Sequence, residues 1–300
     1  MDIGSIANHR AREAGILVYP VYSRRSQGLS VGINLFPDAK VCSFDCPYCE
    51  VFPFKTDTRF SIAAMETELR STLLRLKAQG AVIRDVCFSG NGEPTLAPAF
   101  PEALEAASLI RDEVVPDADL VVITNGTGLL NDRTFVLLHR AATGHTGLNI
   151  WLKLDAGTEG WYQELDRAQI PFARLIGKIK EFLGCAPVTL QTMLCSVNGK
   201  PPSQEEAAAW EALVVELAGI ARAARNAASR EAASQDVEKQ LPGIRDLQIY
   251  GKARPAPEDP LAAALPISYL ESRAASIRTA LERGGLQDPS GKAIPVRVFP

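Results

Sequence analysis

No run of about 18 apolar residues occurs in the 300-residue sequence, so no segment reads as a membrane-spanning helix. Basic charge is not in excess either: 32 Lys and Arg against 35 Asp and Glu leave a formal net charge of −3. That balance excludes the electrostatic signature of a general nucleic-acid binder, while a local basic patch stays open. Histidine is scarce, with His9, His139 and His145 far apart in the chain. The opening residues, Met1-Asp2-Ile3-Gly4-Ser5-Ile6, carry no basic region leading into an apolar stretch, so no secretory leader is expected. No internal repeat is evident. Six cysteines in a chain of this size without an export signal do not suggest a disulfide framework. What remains is an ordinary globular composition, 46% hydrophobic and 22% charged, and the expected location is cytoplasmic.

Short β-type runs alternate with helical patterns, at 29–35, 85–89, 120–124, 148–155, 188–194 and 246–250. Between them Ile62, Met65, Leu69, Leu73 and Leu76 recur at helical spacing before Gly80. Trp210, Leu213, Val214, Leu217 and Ile220 repeat the pattern after Pro201-Pro202, with Ser203 and Glu206 placed as a capping box. Six strand–helix units predict an α/β fold, a partial (β/α)6 barrel open on one side, with a flat doubly wound sheet as the alternative. The expected organisation is an N-terminal extension over 1–28, a core over 29–255 and a C-terminal helix and strand over 256–300. Residues 18–23 are candidates to pair with the first strand as a hairpin. Residues 222–241, poor in apolar side chains, read as an exposed helix or excursion. In a barrel the chemistry sits at the C-terminal strand ends. In the fourth strand Lys153 and Asp155 share the inward parity, and in the fifth Gln191 does.

The cysteines are unevenly placed. Cys42-Ser43-Phe44-Asp45-Cys46-Pro47-Tyr48-Cys49 puts three thiols in eight residues, directly after the first strand. Three thiolates on one loop can hold three irons of a [4Fe–4S] cubane and leave the fourth open to a ligand. A tetrahedral zinc completed by Asp45 or Glu50 is the alternative. After the second strand comes Ser89-Gly90-Asn91-Gly92-Glu93-Pro94-Thr95. Its glycines let backbone approach a ligand closely, and its carboxylate complements an ammonium group. Cys87, Cys185 and Cys195 are scattered and read as core thiols.

The cysteine loop, with aromatic Tyr48 before the third cysteine, resembles the signature of the radical S-adenosylmethionine (SAM) superfamily. The Gly90–Glu93 turn resembles that superfamily's Gly-Gly-Glu motif, with Asn91 interrupting the glycine pair. Tyr22-Ser23-Arg24-Arg25, Gly32-Ile33-Asn34-Leu35 and Thr124-Asn125-Gly126 extend the likeness toward the branch containing tRNA wyosine-base synthetases. The resemblance implies a [4Fe–4S] cluster on Cys42, Cys46 and Cys49 and SAM as the second cofactor. It implies an adenine contact at Tyr48 and capture of the SAM amino group by Gly90, Gly92 and Glu93. Asn125, Gln191, Lys153 and Asp155 become candidates for the SAM carboxylate, the ribose or the substrate, with Lys153 and Asp155 also readable as a structural ion pair. An external one-electron donor such as flavodoxin or ferredoxin is implied as well.

Three functions fit: a radical SAM enzyme acting on a small molecule or protein, a tRNA-modifying relative, or a nonenzymatic iron–sulfur or zinc protein. A pure electron carrier has no use for the glycine–glutamate turn. A tRNA substrate asks for a basic mouth, for which Arg24, Arg25, Lys252 and Arg254 are the candidates, whereas a small or protein substrate leaves them dispersed or paired with Glu258 and Asp259. No cysteine precedes Cys42 to build the second cluster of the wyosine enzymes.

Overall fold

The computed structural model describes residues 15–231, 241–258 and 261–300. Strand β1 (Val18–Ser23) runs antiparallel to β2 (Gly28–Ile33), with Val18 opposite Ile33 and Ser23 opposite Gly28, which is the expected hairpin. Strands and helices then alternate: α1 (Ile62–Ala78), β3 (Ile83–Phe88), α2 (Phe100–Val114), β4 (Asp119–Thr124), α3 (Asp132–Thr143), β5 (Asn149–Lys153), α4 (Glu159–Leu165) and α5 (Phe172–Leu183). They continue with β6 (Pro187–Val197), α6 (Gln204–Glu231), β7 (Gly243–Gly251), β8 (Ala262–Ala264), α7 (Ile267–Arg283) and β9 (Val296–Phe299). The fold class is α/β, the partial (β/α)6 barrel expected from the alternation.

Two compact units make up the chain. The first holds the described residues up to Cys42, Val51–Thr124 and Thr146–Asn149. In it β2 pairs with β3 and β3 with β4, both parallel. Helix α1 starts where the Ser61 hydroxyl accepts the Ala64 N–H, and it ends before Gly80, whose φ of 74° suits the left-handed region after a helix. Met65, Leu69, Leu73 and Leu76, one helical face, are the residues it buries. Phe88 of β3 meets Phe100 of α2 edge to face, ring centroids 5.4 Å apart.

The second unit holds Ser43–Glu50, Asn125–His145 and the described residues from Ile150 onward. Strands β5, β6 and β7 pair in parallel, in a register that sets Lys153 beside Gln191 and Gln191 beside Gln248. Strand β9 adds to β7 in parallel and β8 to the end of β6 antiparallel. Strand β6 is buried along its whole length, as a parallel strand covered on both faces should be. Only half of the expected capping box forms at α6. The Ser203 hydroxyl accepts the Glu206 N–H at 3.0 Å, but the Glu206 carboxylate turns away to Gly157 N–H and Thr158 Oγ1. Those donors belong to the start of α4, where Thr158 is the N-cap, and a buried carboxylate is better satisfied there.

The segment 222–241 begins as a continuation of α6, the helical form of the expectation. Arg225 is buried and donates to the carbonyls of Gln287 (3.0 Å) and Asp288 (2.5 Å), while Arg222 reaches the Gly284 carbonyl at 2.8 Å. Arg222 thereby satisfies the carbonyl at the C-cap of α7, an acceptor that a helix end leaves open, and Arg225 holds the segment after it. Residues 232–240 of that segment lie outside the described residues.

Candidate active site

The Gly90–Glu93 turn is built entirely within the first unit. Asn34, one residue beyond β2, is 1% exposed, and its side-chain oxygen accepts the N–H groups of Phe36 (3.1 Å) and Asn91 (3.2 Å). Gly90 has φ 120°, a conformation that a side chain resists. Asn91 is spent internally: its carbonyl accepts Val41 N–H at 3.1 Å and its amide donates to the Phe36 carbonyl at 3.2 Å. Glu93 N–H in turn donates to the Val41 carbonyl at 2.8 Å, so Val41 and Gly92 form a parallel bridge. A methyl group on Gly92 would lie 1.9 Å from the Val41 oxygen; only glycine allows that approach. Glu93 is 2% exposed, and its Oε1 accepts Thr95 N–H (3.1 Å), Thr95 Oγ1 (2.5 Å) and Thr124 Oγ1 (2.7 Å). The carboxylate is thereby fixed in orientation by three donors.

The cysteine loop continues into the second unit. All six cysteines are free thiols; Cys42 is exposed, and Cys46 and Cys49 are half-buried. A turn closes with Cys49 N–H on the Cys46 carbonyl at 3.0 Å. Asp166, at the end of α4, holds the loop from below. Its carbonyl accepts Asp45 N–H at 3.0 Å and its Oδ1 lies 3.7 Å from the Cys46 sulfur. Burial, followed by the Asp155 charge, raises the Asp166 carboxyl well above the usual range, and burial with Asp166 does the same to the Cys46 thiol.

Like Phe44 of the same loop, Tyr48 is buried. Its hydroxyl donates to Asp155 Oδ2 and accepts from Lys153 Nζ at 2.5 Å. Lys153 also donates to Tyr250 Oη at 2.9 Å and pairs with Asp155 at 2.7 Å, so the expected ion pair is present. Burial works against the ammonium charge, but Asp155 and the surrounding acidic groups outweigh it and raise the lysine.

Asn125 ties itself to the same loop: its Nδ2 donates to Ser43 Oγ at 3.0 Å, and its Oδ1 accepts Thr127 N–H and Thr127 Oγ1. Gln191 is fully buried and donates to Gln248 Oε1 at 2.7 Å, which continues to Asp246 at 3.1 Å. Ser43, Thr127, Asp166 and Tyr250 bond to these candidates, and the sequence did not single them out. Among the described residues, no three His, Cys, Asp or Glu side chains are assembled closely enough to hold a metal ion. The donor set itself suits a thiophilic metal, because three thiols lie within one eight-residue loop and Cys42 is open to solvent.

No family model matches the sequence. Over 119 residues the chain is 34% identical to a UPF0026 protein of Helicobacter pylori, a match covering 39% of this chain and 37% of that protein. Over 160 residues it is 31% identical to a UPF0026 protein of Synechocystis sp., covering 51% and 52%. The chain thus spans about half or less of the length of the curated relatives it matches. In three dimensions it superposes on a radical SAM methyltransferase from Sphaerobacter thermophilus with a TM-score of 0.58 and 16% identity, over 93% of this chain and 68% of that one. The fold is the radical SAM fold. No described helix is long and apolar enough to cross a membrane.

Of the four residues expected at a basic mouth, Arg254 is engaged in an ion pair. Arg254 pairs with Glu50 at 2.9 Å rather than with Glu258, because Arg167 takes Glu258 at 2.7 Å. Asp259, the other expected partner, lies outside the described residues.

Proposed function

We propose that this chain is a radical SAM enzyme in which Cys42, Cys46 and Cys49 hold a [4Fe–4S] cluster. One observation carries the reading. The glycine–glutamate turn is laddered by two backbone hydrogen bonds onto Val41, the residue preceding the first cysteine. A turn suited to an ammonium group and the start of a thiol loop are thereby fixed to each other, which a plain metal site does not require. Cys42, Cys46 and Cys49 would hold the cluster, which would supply the electron for reductive cleavage of SAM and so the start of radical chemistry on a substrate. The protein's part is to bind, orient and exclude water. Gly90 and Gly92 bring backbone close to the methionine amino group, and Glu93, oriented by Thr95 and Thr124, supplies the opposite charge. Tyr48, with its hydroxyl committed to Asp155 and Lys153, is left with its ring and backbone for adenine. Asn125 and Gln191 serve the SAM ribose or carboxylate. A flavodoxin- or ferredoxin-type protein supplies the electron, and the substrate is a small molecule or a protein. The Arg254–Glu50 pair supports that choice over tRNA, since a paired arginine offers little to phosphate.

The test is SAM affinity in Glu93→Gln under anaerobic conditions. Gln preserves shape but removes the charge facing the ammonium. A hydrogen bond to a charged group is worth about 1.5–3 kcal/mol, so SAM should bind about ten- to a hundredfold more weakly with iron content unchanged. Equal affinity in the variant contradicts the assignment of the turn.

A further inference from the structure

We infer that Tyr250 and Lys153 are positioning residues for the cysteine loop, acting on it through the Tyr48 hydroxyl; the inference rests on the proposed cluster-binding role of that loop. An ammonium group has three N–H donors, and Lys153 uses them on three acceptors: Tyr48 Oη at 2.5 Å, Asp155 Oδ2 at 2.7 Å and Tyr250 Oη at 2.9 Å. Tyr48 closes a triangle by donating to the same Asp155 oxygen, and the other Asp155 oxygen accepts Met193 N–H of β6 at 2.8 Å. The ammonium also stands over both rings, 4.7 Å from the Tyr48 centroid and 5.6 Å from that of Tyr250.

The members come from three parts of the unit: Lys153 ends β5 and Asp155 follows it, Tyr250 lies near the end of β7, and Tyr48 belongs to the loop. Tyr48, Asp155 and Tyr250 are 7%, 5% and 8% exposed, so water competes little for these bonds. The loop has no strand or helix of its own between Cys46 and Cys49 to hold it. Between these two cysteines the Tyr48 side chain is gripped by charge from β5, steadied from β7, and packed in the apolar cluster of Leu165, Met193 and Phe299 against which Cys46 also rests. Fixing Tyr48 fixes the residues between which it sits, Cys46 two positions before and Cys49 immediately after. The segment carrying Cys46 and Cys49 is thereby ordered by the fold, and that part of the ordering entropy is spent during folding rather than during loading.

The experiment is a double-mutant cycle of Tyr250→Phe and Tyr48→Phe, both of which leave the Lys153–Asp155 pair intact. Lys153→Met is avoided because it would strand a buried carboxylate. Two rates are read: alkylation of Cys46 and Cys49 in metal-free protein, followed by peptide mass spectrometry, and iron loss from reconstituted protein to a chelator. Tyr250→Phe should raise both rates by about tenfold, the lower end of the effect of one hydrogen bond to a charged group. In the Tyr48→Phe background the same change should have almost no further effect, since its route to the loop is gone. Rates unchanged by Tyr250→Phe, or raised equally in both backgrounds, overturn the inference. Wild-type protein that takes up no iron would instead refute the proposed function, and the alkylation rates would still decide the role of Tyr250.

Discussion

Changing Cys42, Cys46 or Cys49 singly to Ala should abolish cluster content, from about four irons and four sulfides per chain to less than about one after anaerobic reconstitution. Two thiolates cannot hold a cubane in competition with water and free sulfide, and the remaining cysteines are poor substitutes. Cys195 is fully buried within β6. Cys87 is 4% exposed, within β3. Cys185 donates to the Phe182 carbonyl at 3.3 Å, at the end of α5. Ala at Cys87, Cys185 or Cys195 should accordingly leave iron and sulfide at wild-type levels. Iron and sulfide analysis of the six variants checks both halves of this expectation.

The second large effect is expected from a single methyl group. Ala at Gly92 places a carbon 1.9 Å from the Val41 carbonyl oxygen and 2.7 Å from its carbon, where the obstacle is backbone and cannot rotate aside. The turn must move off Val41, which costs the Val41–Asn91 and Glu93–Val41 hydrogen bonds and shifts the Glu93 carboxylate. Overpacking of this kind costs about 1–3 kcal/mol, and the displaced carboxylate should cost at least about tenfold in SAM affinity as well. Gly177, in the middle of α5, is the contrasting case: a methyl there meets nothing within 4 Å. Gly177→Ala should therefore stabilise the protein by about 0.5–1 kcal/mol through helix propensity alone and leave SAM binding untouched. Calorimetry and SAM titration on the two variants give the comparison.

These two sites also show how far the sequence could be read. The cysteine loop and the glycine–glutamate turn are local strings, so their residue types and spacing announce them. The strands were legible for the same reason, since apolar runs bounded by turn residues depend on neighbours in the chain. Their ends were not. Strand β6 continues three residues beyond the expected run, to Val197, because β8 pairs with its last residues, and Ala262-Ala263-Ala264 carries no β signal of its own. The anchoring residues failed to announce themselves because tertiary packing makes them. Asp166 is one acid among many until α4 ends at it beneath Cys46, and Tyr250 becomes a partner of Lys153 only when β7 lies beside β6. Glu206 misled in the opposite direction: its position fits a capping box, yet distant donors at Gly157 and Thr158 claim its carboxylate.

The central claim, that this chain cleaves SAM reductively with a cluster on its three-cysteine loop, is tested most directly by product analysis. Protein purified and reconstituted without oxygen is reduced with dithionite in the presence of SAM, and methionine and 5′-deoxyadenosine are quantified by chromatography. The account predicts both products in equal amounts from the wild type and neither from Cys46→Ala. Stoichiometric zinc in the anaerobically purified protein, with no iron uptake and no 5′-deoxyadenosine formed, would contradict it.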